Sequence, residues 1–212
     1  ALRPSFTPPE LEAICNETHK FGKHVVAHCH SSQAMVDVLD AGVDTIVHAI
    51  HREPDGTFRY RPEIGEKIAE SGVYVNSNLH GSRDRIRMLE NKQMCQGLTL
   101  EEDMAKNEAI RTYSHKLNDY IKMREAGVTM VCGSDSAWGN YKMGGFQYEI
   151  ESQVEAGMSP MEAIVSATKD SSRSCCIDDD VGVLEVGKQA DILVVEGNPI
   201  QDIKVLRNVV DV

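Results

Sequence analysis

The 212-residue sequence predicts an α/β fold with parallel strands, and three observations carry that reading. A helical run, a small residue or glycine and a short apolar run follow one another four times. The apolar runs lack helical period and are too short for buried helices. Each pair of runs is separated by a helix, which is the connection that parallel strands require.

The first unit places Leu11, Ile14, Cys15 and Thr18 at helical spacing within residues 8 to 21, closes at Gly22, and enters the run His24 to His28. The second predicts a helix over Ala34 to Leu39, a stop at Ala41-Gly42 and a strand over Asp44 to His48. Ile64 to Glu70, Ser71-Gly72 and Val73 to Asn76 make the third. A long charged helical stretch ends at Glu125-Ala126-Gly127, and the run 128 to 135 follows it. Two more helices are expected over Phe146 to Glu155 and Ser159 to Thr168, the latter opened by Ser159 as cap and Pro160 in its first turn. Beyond Asp180 the texture changes to β-structure: Val183 to Lys188, Ala190 to Val195, a turn at Gly197-Asn198-Pro199 and a last apolar run to Val212. The expected division is therefore 1–180 and 181–212. A closed eight-stranded barrel takes about 250 residues, more than are present.

Composition excludes several classes. Lys and Arg number 22 against 33 Asp and Glu, a net charge of −11, which argues against a nucleic-acid partner. No apolar run is long enough to span a membrane, and Ala1-Leu2-Arg3-Pro4 lacks the features of a secretion signal, so the expectation is a cytoplasmic protein with no membrane partner. The six cysteines form no C-x-x-C pair, and Cys15, Cys29 and Cys132 lie in apolar stretches, as reduced buried thiols do.

The polar ends of the strands carry the chemistry. Strand alternation puts Val26 with His28, Ile46 with His48, and Val131 with Gly133 and Asp135, each set ending in a metal-capable or acid–base group. In an α/β barrel, side chains at the C-terminal strand ends converge on the active site. Two histidines and a carboxylate there suit Zn²⁺ or a similar divalent ion, whose bound water is acidified toward neutral pH while the carboxylate takes its proton. A single strand-end histidine is commonly structural, and an Asp after Gly-Ser is a common turn residue. Three of four strands ending alike, 20 and 87 residues apart, favours the site. His30 completes an H-x-H pattern and is read as a loop or supporting residue. His51, Tyr60, Asn78 and Trp138 follow strand ends and are the candidate substrate contacts. Arg83, Arg85 and Arg87 could grip a carboxylate, but a solvated helix face explains that alternation better.

The phrases Val25-Val26-Ala27-His28-Cys29-His30, Ala41-Gly42-Val43-Asp44-Thr45-Ile46-Val47-His48, Gly133-Ser134-Asp135 and Val154 to Ile164 run in order along the chain. Together with the tail Gly182 to Val195 they resemble the amidohydrolase superfamily, in its imidazolonepropionase-like and Xaa-Pro-dipeptidase-like branch. The resemblance implies the C-terminal half of a (β/α)8 TIM-like barrel, strands five to eight, followed by a short β-sandwich segment. It implies His28 as the metal-ligand histidine of strand five, His48 as that of strand six, and Asp135 as the strand-eight residue that binds metal and shuttles the proton. The family's strand-one H-x-H pair and strand-four lysine lie outside these 212 residues. Asn76-Ser77-Asn78 stands where the family usually has a Pro-Thr phrase, so a dipeptide substrate does not transfer automatically.

The expected function is hydrolysis of a C–N bond in an amide, cyclic amide or dipeptide by a metal-activated water, with one or two zinc ions. The alternatives are a deaminase of the same superfamily and a non-catalytic half-barrel that associates through its open edges. Unpaired strand edges lead to the expectation of a homo-oligomer, or of pairing with a missing N-terminal half.

Overall fold

A computed structural model describes residues 4–136 and 143–212. Three parallel strands, β1 (Val26–His28), β2 (Thr45–Val47) and β3 (Tyr74–Asn76), lie in the order β1-β2-β3. Helix α1 (Pro8–His19) precedes β1, α2 (Ser32–Ala41) links β1 to β2 and α3 (Pro62–Ser71) links β2 to β3, in the predicted alternation.

Local chemistry explains where these helices begin and end. Thr7 and Glu10 form a capping box at α1, and Ser31 Oγ accepts the Ala34 N–H at 3.2 Å to open α2. Gly42, at φ 85°, closes α2 with its N–H on the Leu39 carbonyl, a left-handed turn that a side chain would strain. The chain is thereby turned straight into β2.

The fourth predicted strand is reduced. Val75 N–H donates to the Thr129 carbonyl and Val131 N–H to the Val75 carbonyl, a single parallel bridge between Val75 and Met130. Beyond it the run 128 to 135 leaves the ladder to form part of the rim. The connection before it folds as two helices, α4 (Leu79–Gln96) and α5 (Leu100–Glu125), packed against each other. Gly97 ends α4 and a Thr99–Glu102 capping box starts α5. Next come α6 (Phe146–Glu155) and α7 (Pro160–Val165), the latter opened by Ser159 as predicted. The expected helix to Thr168 continues as a π-helical turn over Ser166–Asp170 and a short α8 (Ser171–Ser174).

The tail is less β-structured than its composition predicts. β4 (Val194–Val195) pairs antiparallel with β5 (Val209–Asp211), while Val183 to Lys188 forms turns. Those residues are largely exposed and have no neighbouring strand among the described residues to complete a ladder.

Register decides which side of the sheet each residue serves. Ala27 pairs with Ile46 and Ile46 with Val75, and this side packs against the helices, with Ile46 and Val75 wholly buried beside Met35, Ile68 and Met123. The opposite side carries Val26, His28, Val47 and Asn76 and is far more open; Val26 is 59% exposed. Among the described residues nothing pairs with the outer edge of β1. No helix among them is long and apolar enough to cross a membrane. Cys15, Cys29 and Cys132 are buried, and all six cysteines are unpaired.

Candidate metal centre

The C-terminal ends of the strands bring His28, His30 and His48 together. One ring nitrogen from each lies within 4.8 Å of the others, and the ring centroids are 4.2 to 4.6 Å apart.

Simple alternation does not produce this arrangement. His28 pairs with Val47, so an extended chain would send His48 to the helix side of the sheet with Ile46. Strand alternation alone therefore would not carry His48 to His28. The backbone instead turns left-handed at His48 (φ 70°) and Ala49 (φ 48°), which swings the imidazole back over the strand end. Non-glycine residues reach this region at a cost of about 1–3 kcal/mol and hold it only where the surroundings over-determine it. Asn78 (φ 49°) and Asp135 (φ 53°) do the same after β3 and after the Met130 bridge. The strain is concentrated on one rim.

Burial sets the protonation of the ligands. Desolvation, and then the neighbouring His28 and Lys116, lower His30 to about 4. Desolvation and the Lys116 charge lower His48 to about 3. Both imidazoles are neutral at pH 7, with lone pairs available to a cation. His30 Nε2 is buried with no hydrogen-bond partner among the described residues, an orphan that a bound ion would satisfy. Three converging imidazoles suit zinc and leave positions open for water or substrate. Cys29, between two of them, stands outside the converging group, and burial pushes its thiol up to about 12.

The other predicted residues divide. Asp135 lies on the same rim, exposed, but outside the group of three converging ligand atoms. Its negative charge is felt by Lys116. His30, expected to support the site, stands in the cluster as closely as the other two. His51, expected to touch substrate, is fully buried, with Nδ1 3.4 Å from Asp119 Oδ2 and its ring 4.7 Å from that of Tyr60. It packs behind the rim, because the chain turns inward after Ala49. Asn78 commits its side-chain Nδ2 to the Gly133 carbonyl at 2.8 Å. Gly133 is needed there, since a Cβ would lie 2.2 Å from Asn76 Nδ2. Arg83 pairs with Glu155 at 2.6 Å, and Arg87 lies over the Tyr148 ring and beside Asp84. Trp138 lies outside the described residues.

Sequence reasoning missed Lys116 and Glu149. Lys116 sits in a charged helix that reads as solvated, and Glu149 in a helix whose mean character is polar. Both are buried beside the rim.

Comparison with known proteins decides the family. Residues 1–212 match the amidohydrolase family over their whole length. The chain belongs to the amidohydrolase family. It is similar to the ochratoxinase of Aspergillus niger, 31% identical over 204 residues that cover 95% of this chain and 38% of that protein. Among solved structures it resembles a Xaa-Pro dipeptidase crystallised with methionine in its active site, at 29% identity and a TM-score of 0.78. That match covers 99% of this chain and 48% of the dipeptidase. The crystal structure of the Aspergillus niger ochratoxinase matches at 25% identity and a TM-score of 0.75, covering 96% and 43%. The chain thus falls in the dipeptidase-like branch and spans less than half the length of these relatives.

Proposed function

We propose that the protein is a metal-dependent amidohydrolase that hydrolyses a carbon–nitrogen bond in an amide, cyclic amide or dipeptide. On this reading residues 1–180 supply strands five to eight of a (β/α)8 barrel and residues 181–212 a segment of a small β-sandwich domain. The observation that carries it is the convergence of three histidines, two of them held neutral by burial, at the C-terminal ends of parallel strands. The β1-β2-β3 order and the family membership support it.

His28, His30 and His48 would hold a divalent ion, with zinc favoured by the all-nitrogen donor set. Such an ion supplies an acidified water and polarises the scissile carbonyl. Asp135 takes the proton of the attacking water as general base and returns it to the leaving nitrogen as general acid. Asp135 takes a left-handed backbone (φ 53°) two residues past Gly133, whose carbonyl Asn78 holds. The free edge of β1 would accept a further strand, from an N-terminal half of the barrel or from a second copy. Six unpaired thiols fit a cytoplasmic setting.

The test is elemental analysis of the purified full-length protein together with hydrolysis of a panel of Xaa-Pro dipeptides and N-acyl amino acids. About one or two metal ions per chain, with activity lost to a chelator and regained on adding zinc, is the expected result. A protein that binds no zinc at micromolar concentration and cleaves none of the panel would overturn the proposal.

A further inference from the structure

The candidate centre leaves one buried cation and one buried acid without a role. Lys116 on α5 is 8% exposed and Glu149 on α6 is 1% exposed. They meet across a single peptide group. Lys116 Nζ donates to the Asn78 carbonyl at 3.1 Å, and the Leu79 N–H, the other half of the same peptide unit, donates to Glu149 Oε1 at 2.8 Å. The His80 N–H donates to Glu149 Oε2 at 2.6 Å. The peptide presents its oxygen to the Lys116 amine and its hydrogen to the Glu149 carboxyl, so one peptide group joins the two buried side chains. From this fixed peptide the Asn78 side chain reaches the Gly133 carbonyl at 2.8 Å, two residues before Asp135.

Capping of α4 accounts for Glu149 by itself, since its two oxygens satisfy the first N–H groups of that helix. It leaves Lys116 and the Asn78–Gly133 link unexplained. Both fall into place if the object being held is the rim. Asn78 and Asp135 each sit in the left-handed region, which needs external support, and the Asn78 side chain ties the two loops together through the Gly133 carbonyl.

We propose that Lys116 and Glu149 clamp the Asn78–Leu79 peptide and, through Asn78, position the loop that carries Asp135. They are positioning residues and touch no reacting atom. The inference rests on Asp135 as the proton-transfer residue.

The test uses the full-length protein with Lys116→Met, Asn78→Ala and the double variant. Hydrogen exchange is read first: Lys116→Met should speed exchange about tenfold in residues 131–136 as well as 77–80, with residues 26–28 unchanged. On the best dipeptide of the panel, kcat should fall about tenfold or more for each single variant, with KM within about twofold and bound zinc as in the wild type. The double variant should be no worse than either single, because both cut one connection. Faster exchange confined to 77–80, an unchanged kcat, or losses that multiply would overturn the clamp. Should Lys116→Met fail to fold, Asn78→Gly keeps Lys116, Glu149 and the left-handed backbone in place, cuts the Gly133 link, and decides by the same readouts. A wild type that cleaves nothing but shows coupled exchange keeps the clamp and overturns the hydrolase reading instead.

Discussion

His48 shows how much one residue's backbone can decide. Its neighbour Val47 occupies the register position opposite His28, and only the left-handed turn at 48 and 49 brings the third imidazole into the cluster. Replacing His30 or His48 with Ala should weaken zinc binding at least about tenfold, measured by calorimetric titration, and the two losses should be comparable. A purely supporting His30 would show a loss well short of that for His48. Glu149 offers a second prediction at this scale. Burial pushes its carboxyl up from the ordinary 4.5 to about 7, although the N–H groups of His80 and Leu79 pull the other way. The folded chain therefore holds this proton more tightly than the unfolded one. Its contribution to stability is full below about pH 4.5 and is lost as pH rises through about 7, a change on the order of 3 kcal/mol. In Glu149→Gln that slope between pH 4.5 and 7 should vanish from denaturant-unfolding curves taken across the range.

The strand ends behave as one rim because their loops are tied to one another. The His48 N–H donates to the Asn76 carbonyl at 2.7 Å, Asn76 Oδ1 accepts the Asn78 N–H at 3.3 Å, and Asn78 holds Gly133. Gly133→Ala would press a methyl group on the Asn76 amide and cost that link. The expected destabilisation is about 1–2 kcal/mol, seen as a fall of roughly 2–8 °C in Tm by calorimetry. An unchanged Tm would mean that Asn76 moves aside freely. The helices were legible at this scale because their signals are local: the Thr7–Glu10 and Ser159–Glu162 capping boxes and the Ala41-Gly42 stop lie within a few residues of the boundary they set. The fourth strand was not. Its apolar run satisfies the periodicity of a strand, but pairing with β3 is limited to the bridge at Met130, and the residues after it follow the rim instead. Nor was the split of residues 79–125 into α4 and α5 foreseen, because the charged surface of both helices masks the turn at Gly97.

Across the whole molecule, the parallel sheet has one edge, the outer side of β1, that nothing among the described residues pairs with. Val26 on this edge strand is exposed, and a cavity of about 380 Å³ beside β1 is lined by Phe6, Ile14, Val26 and His28. An open parallel edge of this kind invites a further strand. The 212-residue chain on its own should associate, and Val26→Lys should shift it toward the monomer in light scattering after size-exclusion chromatography; a stable monomer without the substitution would count against pairing at this edge. By itself the sequence determined the alternation of helix and strand, the family and the presence of histidines at two strand ends, because these follow from periodicity, caps and short motifs. Only the tertiary structure decided that His30 joins His28 and His48, that His51 turns away, and that Lys116 and Glu149 lie beneath the rim. Those outcomes depend on register, on left-handed turns held by neighbouring loops, and on burial by helices distant in sequence, none of which any local window of residues encodes.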